Sequence, residues 1–310
     1  MLEHITRGLY HFEVHLLYAS IVGLAAWGLT SVLRASATTK YWIWVATSLN
    51  FILPVAAIFD KSLASHLAWA RPLGIIGDAA ASISQGPAAP VFCAAWLLGT
   101  ALMFTRLYLR IRADRRNARL LDPQNPAHYR PNLLAHGIPV RFGSNDQTPA
   151  VDGVLHPHIS LPSGIERLLS ESELDAVLIH ELAHAKRRDN LILLVHELAL
   201  CALWFHPLVW ITSSRLALYR ELSCDESVIQ SARGGDLVSA LAKLADPERP
   251  LLLQATASSF ISHRLAGLTA RPRPQYRIAN ALVAAIFSAL LVASSFATVA
   301  HTACCFVAKK

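Results

Sequence analysis

Apolar positions in this chain come in long runs rather than in alternation or heptads. Leu16 to Leu33 carries no charge, and Tyr41 to Phe59 is a second uncharged stretch. Pro87 to Thr105 and Ile278 to Ala300 are a third and a fourth. A bilayer-crossing helix needs about 20 apolar residues, so the pattern predicts four transmembrane helices. Tyr41, Trp42 and Trp44 open the second run as an interfacial aromatic belt would. The first run does not read as a cleavable signal peptide, because Glu3 and Glu13 accompany Arg7 in its polar start.

Between the third and fourth runs lies a polar block. Arg106, Arg110, Arg112, Arg115, Arg116 and Arg119 open it, against Asp114 alone, and Arg271, Arg273 and Arg277 close it. The first loop carries Arg34 and Lys40. Cytoplasmic segments collect Lys and Arg, so the first loop and the 106–277 block are expected inside and both termini outside; Lys309 and Lys310 weigh weakly the other way. Three units follow: a membrane domain over 1–112, a cytoplasm-facing domain over 113–277, and a C-terminal transmembrane helix with a short tail over 278–310.

Within the block, Asp122 to Pro131 reads as a linker. Ile138 to Phe142 and Val154 to Leu161 read as strands, the second as an exposed edge where an extended substrate could add. Ser170 and Glu173 form a capping-box signature ahead of LDAVLIHELAHAKRRD. A fifth apolar stretch, Leu191 to Thr212, is interrupted by His206-Pro207.

Composition agrees with a membrane protein. Of 310 residues 54% are hydrophobic and only 16% charged, where a soluble domain is nearer a quarter. The net charge is +7 and the mean hydropathy +0.38. The basic residues flank apolar runs, so the charge speaks for topology rather than nucleic acid, and no direct nucleic-acid contact is expected. Cys93, Cys201, Cys224, Cys304 and Cys305 contain no CxxC pair, which excludes a zinc ribbon or a thioredoxin motif.

The chemistry sits in His180-Glu181-Leu182-Ala183-His184. Residues four apart share one helix face, so both imidazoles can reach one ion. Glu181, one residue along, can take a proton from water whose pKa zinc lowers to about 7. Such a pattern arises by chance in roughly 0.02 of chains of this composition. A catalytic zinc needs a third protein ligand. Glu221, in RELSCDE, is a candidate, with a solvated helix charge as the alternative. Asp225 shares its face and could accept from a ligand imidazole. Cys224 points elsewhere and reads as packing. A single crossing by 191–212 would separate His184 from Glu221, so a hairpin turning at Phe205-His206-Pro207 is expected, its unequal arms forcing a kink near Arg187 to Asn190. Asp189 could end the first helix or bind a ligand histidine. His196 and Glu197 read as a buried pair, His206 as a turn residue, and His156 and His158 as loop histidines.

These residues resemble the BlaR/MecR-type integral-membrane zinc metallopeptidases, the antirepressor family of β-lactam sensing. TPAVDGVLHPHISLP (148–162), LDAVLIHELAHAKRRD (174–189), FHPLVWITSSRLALYRELSCDESV (205–228) and, more weakly, SHRLAGLTARP (262–272) carry the resemblance. It implies a mainly α, polytopic protein of the bacterial inner membrane with a cytoplasmic gluzincin-like α+β peptidase domain, including a helical hairpin at about 175–228. It also implies Zn2+ on His180, His184 and Glu221, Glu181 as general base, and Asp225 and Asp189 supporting the ligands. The implied task is cleavage of the protein itself or of a cognate transcriptional repressor, a small winged-helix protein. Membrane lipid and a second copy of the chain are further expected partners. The Arg-rich 264–277 stretch is the expected self-cleavage segment. Where the receptors carry a penicillin-binding domain, only His301 to Lys310 follows here, so the signal is expected from the second loop, a partner or the membrane. Two alternatives stand beside this reading: a Ste24/HtpX-like membrane protease for protein processing, and a non-proteolytic signalling or scaffold protein with structural zinc.

Overall fold

The computed structural model describes residues 2–53, 89–118, 137–143, 148–244, 262–268 and 277–307. The fold is mainly helical. In chain order come α1 (Leu2–Val32), α2 (Ala37–Ile52) and α3 (Ala89–Ala118), then β1 (Val140–Gly143), β2 (Ala150–Asp152) and β3 (His158–Pro162). They are followed by α4 (Ile165–Leu168), α5 (Glu171–Arg187), α6 (Asp189–Ala202), α7 (Pro207–Gln230) and α8 (Gly234–Leu244). A short helix over 262–268 is α9, and α10 runs Arg277–Val307.

Among the described residues, three segments are long and apolar enough to cross a bilayer: Phe12–Val32, Pro90–Ala113 and Ile278–Ser295. They coincide with the first, third and fourth expected spans. Large apolar side chains point outward from them, among them Leu24, Val91, Leu98, Leu102 and Leu282, a surface suited to lipid rather than water. The second expected span is described only through α2 and Leu53; its remainder, the second loop and the 122–131 linker lie outside the described residues. Nor does α2 present its aromatics as a belt. Tyr41 and Trp44 are buried and only Trp42 faces outward, because α2 is packed among α1, α7 and α10.

The expected hairpin is present as α6 and α7. Helix α5 ends at Arg188, whose φ of 56° is a left-handed cap, and α6 starts at once with Asp189. This is the kink that the unequal arms required. The chain reverses before Pro207, the first residue of α7, where a proline's missing N–H costs nothing. The hairpin tip packs on α3. Trp96 Nε1 donates to Ala202 O at 2.7 Å, and a Cβ on Gly99 would stand 2.2 Å from the Trp204 ring. His206 caps α7 and meets Ser20 at 3.1 Å. His196 and Glu197 do not pair with each other as expected: His196 Nδ1 lies 2.8 Å from Ser48 Oγ, while Glu197 faces Arg110 at 3.6 Å. Adjacent helix positions diverge by about 100°, so each residue found a partner on a different helix.

The sheet has the order β1-β3-β2. β1 runs parallel to β3, with Val140 opposite Ile159, and β2 runs antiparallel to it, with Val151 opposite Ile159. β3 is therefore central and paired on both sides, which corrects the expectation that Val154 to Leu161 offers a free edge. The alternation had hidden β2, a three-residue strand too short to show a period. His158 opens β3 rather than lying in a loop.

Two apolar cores meet on α7. Leu216 and Tyr219 join Val22, Trp44 and Phe287 of the membrane helices. Three turns later Val228 joins Leu161, Val177, Leu182 and Leu237 of the polar block. The stretch of α7 between these cores carries Glu221 and Asp225.

Candidate metal centre

Helix α5 begins as its sequence predicts. Ser170 Oγ accepts from the Glu173 amide at 3.4 Å, and Ser170 N–H donates to Glu173 Oε2 at 2.7 Å. This fixes the register of the helix that presents His180, Glu181 and His184, all buried. The hairpin then returns α7 alongside α5.

Four nitrogen and oxygen atoms converge. His180 Nε2 and His184 Nε2 are 3.2 Å apart. Glu221 Oε2 lies 3.5 Å from the first and Oε1 3.7 Å from the second. The other ring nitrogens face carboxylates: His184 Nδ1 is 2.7 Å from Asp189 Oδ2, and His180 Nδ1 is at ion-pair distance, 3.0 Å, from Asp225 Oδ1. A carboxylate only accepts, so His184 Nδ1 donates to Asp189 and leaves its Nε2 as the free ring nitrogen, whereas His180 Nδ1 stands beside Asp225 without a hydrogen bond. Arg220 donates to Glu221 Oε1 from Nε and Nη2 at 3.1 and 2.9 Å, so the carboxylate also has a guanidinium partner. Donors around a tetrahedral zinc at about 2.0–2.1 Å sit about 3.3–3.4 Å from each other, close to the observed separations. The residues therefore fit zinc.

Taken alone, the same side chains favour a proton. Burial opposes a charge on His180, but Asp225 and Glu221 hold its pKa up to about 9. Burial likewise pushes the Glu221 carboxyl up, yet the hydrogen bond from His180 and the charges of His184 and Arg220 hold it well below the usual range. Cys224 Sγ also lies within 4.8 Å of the imidazole nitrogens. Burial pushes its thiol up, and Arg187 Nη2 stands 2.9 Å from the sulfur. The Glu221 oxygens approach the imidazole nitrogens to 3.5 and 3.7 Å, near the spacing that ligands of one tetrahedral ion take, and Glu221 is the third-ligand candidate.

Arg264 of α9 is a site residue that sequence reasoning did not single out. Its guanidinium forks onto Asp225, with Nε to Oδ2 at 2.9 Å and Nη2 to Oδ1 at 2.8 Å, and Nη1 lies 3.4 Å from Glu221 Oε2. The signal available was its place in the weakest of the resembling segments. Of the expected 264–277 self-cleavage segment, Arg264 and Leu268 are packed inward, and 269–276 lies outside the described residues.

The described residues thus combine a mainly helical fold, three apolar helices and a buried cluster of His180, His184, Glu221 and Cys224. The sequence profile of the family described as BlaR1 peptidase M56 matches residues 12–236, and the chain belongs to that family. It is 26% identical over 225 residues to the regulatory protein BlaR1 of Bacillus licheniformis, covering 66% of this chain and 35% of that protein. It is also 26% identical over 93 residues to the methicillin resistance MecR1 proteins of Staphylococcus aureus and Staphylococcus epidermidis, covering 30% of this chain and 16% of those proteins. The chain thus aligns with about a third or less of these relatives' lengths.

Proposed function

We propose that this chain is a multi-pass zinc metalloendopeptidase of the bacterial inner membrane, with its active site facing the cytoplasm and a gluzincin-like peptidase domain over 113–277. It acts in signal transduction by cleaving itself, a cognate winged-helix repressor, or both. The carrying observation is the convergence of two imidazole nitrogens and a carboxylate, with an aspartate beside the far nitrogen of each imidazole.

His180, His184 and Glu221 would hold the ion, and Asp225 and Asp189 would fix the imidazole tautomers. Zinc in this position supplies Lewis acidity towards a scissile carbonyl and towards water. Glu181, buried within electrostatic reach of His180 and Arg264, takes the proton from the attacking water and passes it to the leaving amine. An extended substrate would use β1 or β2, which among the described residues pair on one side alone. The membrane helices, including α2 as a fourth span, hold this chemistry at the bilayer.

The test is Glu181→Gln in the full chain, co-expressed with a candidate winged-helix repressor. Zinc content should stay at one per chain while repressor and self-cleavage products vanish from intact-mass spectra. Survival of signalling in that variant would instead select the non-proteolytic reading.

A further inference from the structure

The first turns of α2, where the expected second span begins, reach the candidate site. The Tyr41 hydroxyl donates to Asp189 Oδ1 at 2.7 Å. The other oxygen of the same carboxylate takes His184 Nδ1 at 2.7 Å. Asp189 is only 2% exposed, so water cannot replace a lost donor there. Arg187 closes the cluster, with Nη2 on Oδ2 at 2.6 Å and Nε on Oδ1 at 3.2 Å, and its guanidinium lies 4.5 Å from the centre of the Tyr41 ring. Four residues earlier, α2 is gripped a second time. The amides of Ala37 and Thr38 donate to Glu226 Oε1 and Oε2 at 2.6 and 3.0 Å, and the Thr38 hydroxyl adds 2.8 Å. Glu226 is the neighbour of Asp225, which backs His180. The start of α2 is thus tied to the supports of both imidazoles.

We propose that Tyr41 is a positioning residue of the metal centre: through Asp189 it fixes the plane and tautomer of His184, so that α2 helps set how tightly the ion is held. This rests on the zinc reading above. The geometry gives Asp189 one oxygen for the histidine and one for the tyrosine. Loss of the hydroxyl leaves the second oxygen with only the longer Arg187 contact, so the carboxylate is held less firmly in the plane that meets His184. Supporting residues of this kind change metal affinity by about 10–100-fold.

The experiment uses the full chain in lipid nanodiscs, with zinc affinity read by chelator competition. Tyr41→Phe should weaken zinc about 10-fold, measured at a temperature where the zinc-free variant is still folded. Asp189→Asn should weaken it at least as much, and the Tyr41→Phe/Asp189→Asn pair should be no weaker than Asp189→Asn alone, since both act through one carboxylate. Trp42→Phe, on the outward face beside it, should change nothing. Equal zinc affinity in Tyr41→Phe and wild type overturns the proposal, whatever the melting point does, and so do additive losses in the pair. In either case His184→Ala still losing zinc would leave the metallopeptidase reading intact. A wild-type chain that binds no zinc through His180 and His184 would overturn both.

Discussion

Arg264 and Asp225 form a two-pronged ion pair, Nε to Oδ2 at 2.9 Å and Nη2 to Oδ1 at 2.8 Å, and Asp225 in turn backs His180. A planar guanidinium matches a carboxylate in a way that an ammonium cannot. Arg264→Lys keeps the charge and loses the fork, so peptidase activity should fall by about 10-fold, the scale of lost ligand support. Arg264→Ala leaves a buried carboxylate short of its cation and should cost roughly 3 kcal/mol of stability. Thermal melting and a cleavage assay on both variants check this; wild-type activity in Arg264→Lys would show that the fork is dispensable.

The choice between Glu221 and Cys224 is open to direct measurement. Cys224→Ala should keep one zinc per chain. Glu221→Gln should lose more than the 10–100-fold that a supporting residue costs. The opposite pattern in metal analysis would assign the sulfur as ligand.

Protonation of His180 sets opposite pH trends for the metal-free and metal-bound chain. Its pKa is held up to about 9, above the ordinary 6.5. In the metal-free chain its contribution to stability is complete below 6.5 and is lost as pH rises through 9. Zinc must displace that proton, so affinity climbs over the same interval. Melting temperatures of metal-free chain at pH 6.5 and 9.5, set beside chelator competition at both, should move in opposite directions. Parallel movement would remove His180 as the group responsible.

Gly99 admits the Trp204 ring because it has no side chain; a Cβ would sit 2.2 Å from that ring. Gly99→Val should push the hairpin tip off α3 and destabilise by about 1–3 kcal/mol, the range for overpacking. Adding Trp204→Ala should recover part of the loss. Melting of the two variants and their combination checks it, and a neutral Gly99→Val would mean that the tip can shift freely.

How far the sequence could be read depended on the range of each signal. The helix carrying His180 and His184 was legible because cap, period and motif all lie within one element. The kink at Arg188 was legible from arithmetic alone, since two unequal arms had to bring His184 and Glu221 to one place. Asp189 and Asp225 could be named but not assigned, because spacing does not say which imidazole each meets. Tyr41 and Arg264 were illegible as site residues: they are 143 and 80 positions from His184, and no local pattern marks a contact made only by tertiary packing. The strand order failed for a related reason. A short run shows alternation, but whether it lies at the centre or the rim depends on partners elsewhere in the chain.

Helix α7 is one unbroken rod from Pro207 to Gln230, rooted among membrane helices at one end and in the peptidase core at the other. Glu221 lies about 21 Å along it from the hairpin turn. Packing among the membrane helices holds α7 as far as Tyr219, two residues before Glu221, and Val228 anchors it again in the other core. Under the proposed zinc reading, a shift in how those helices pack would be passed along α7 to the Glu221 carboxylate with little give between.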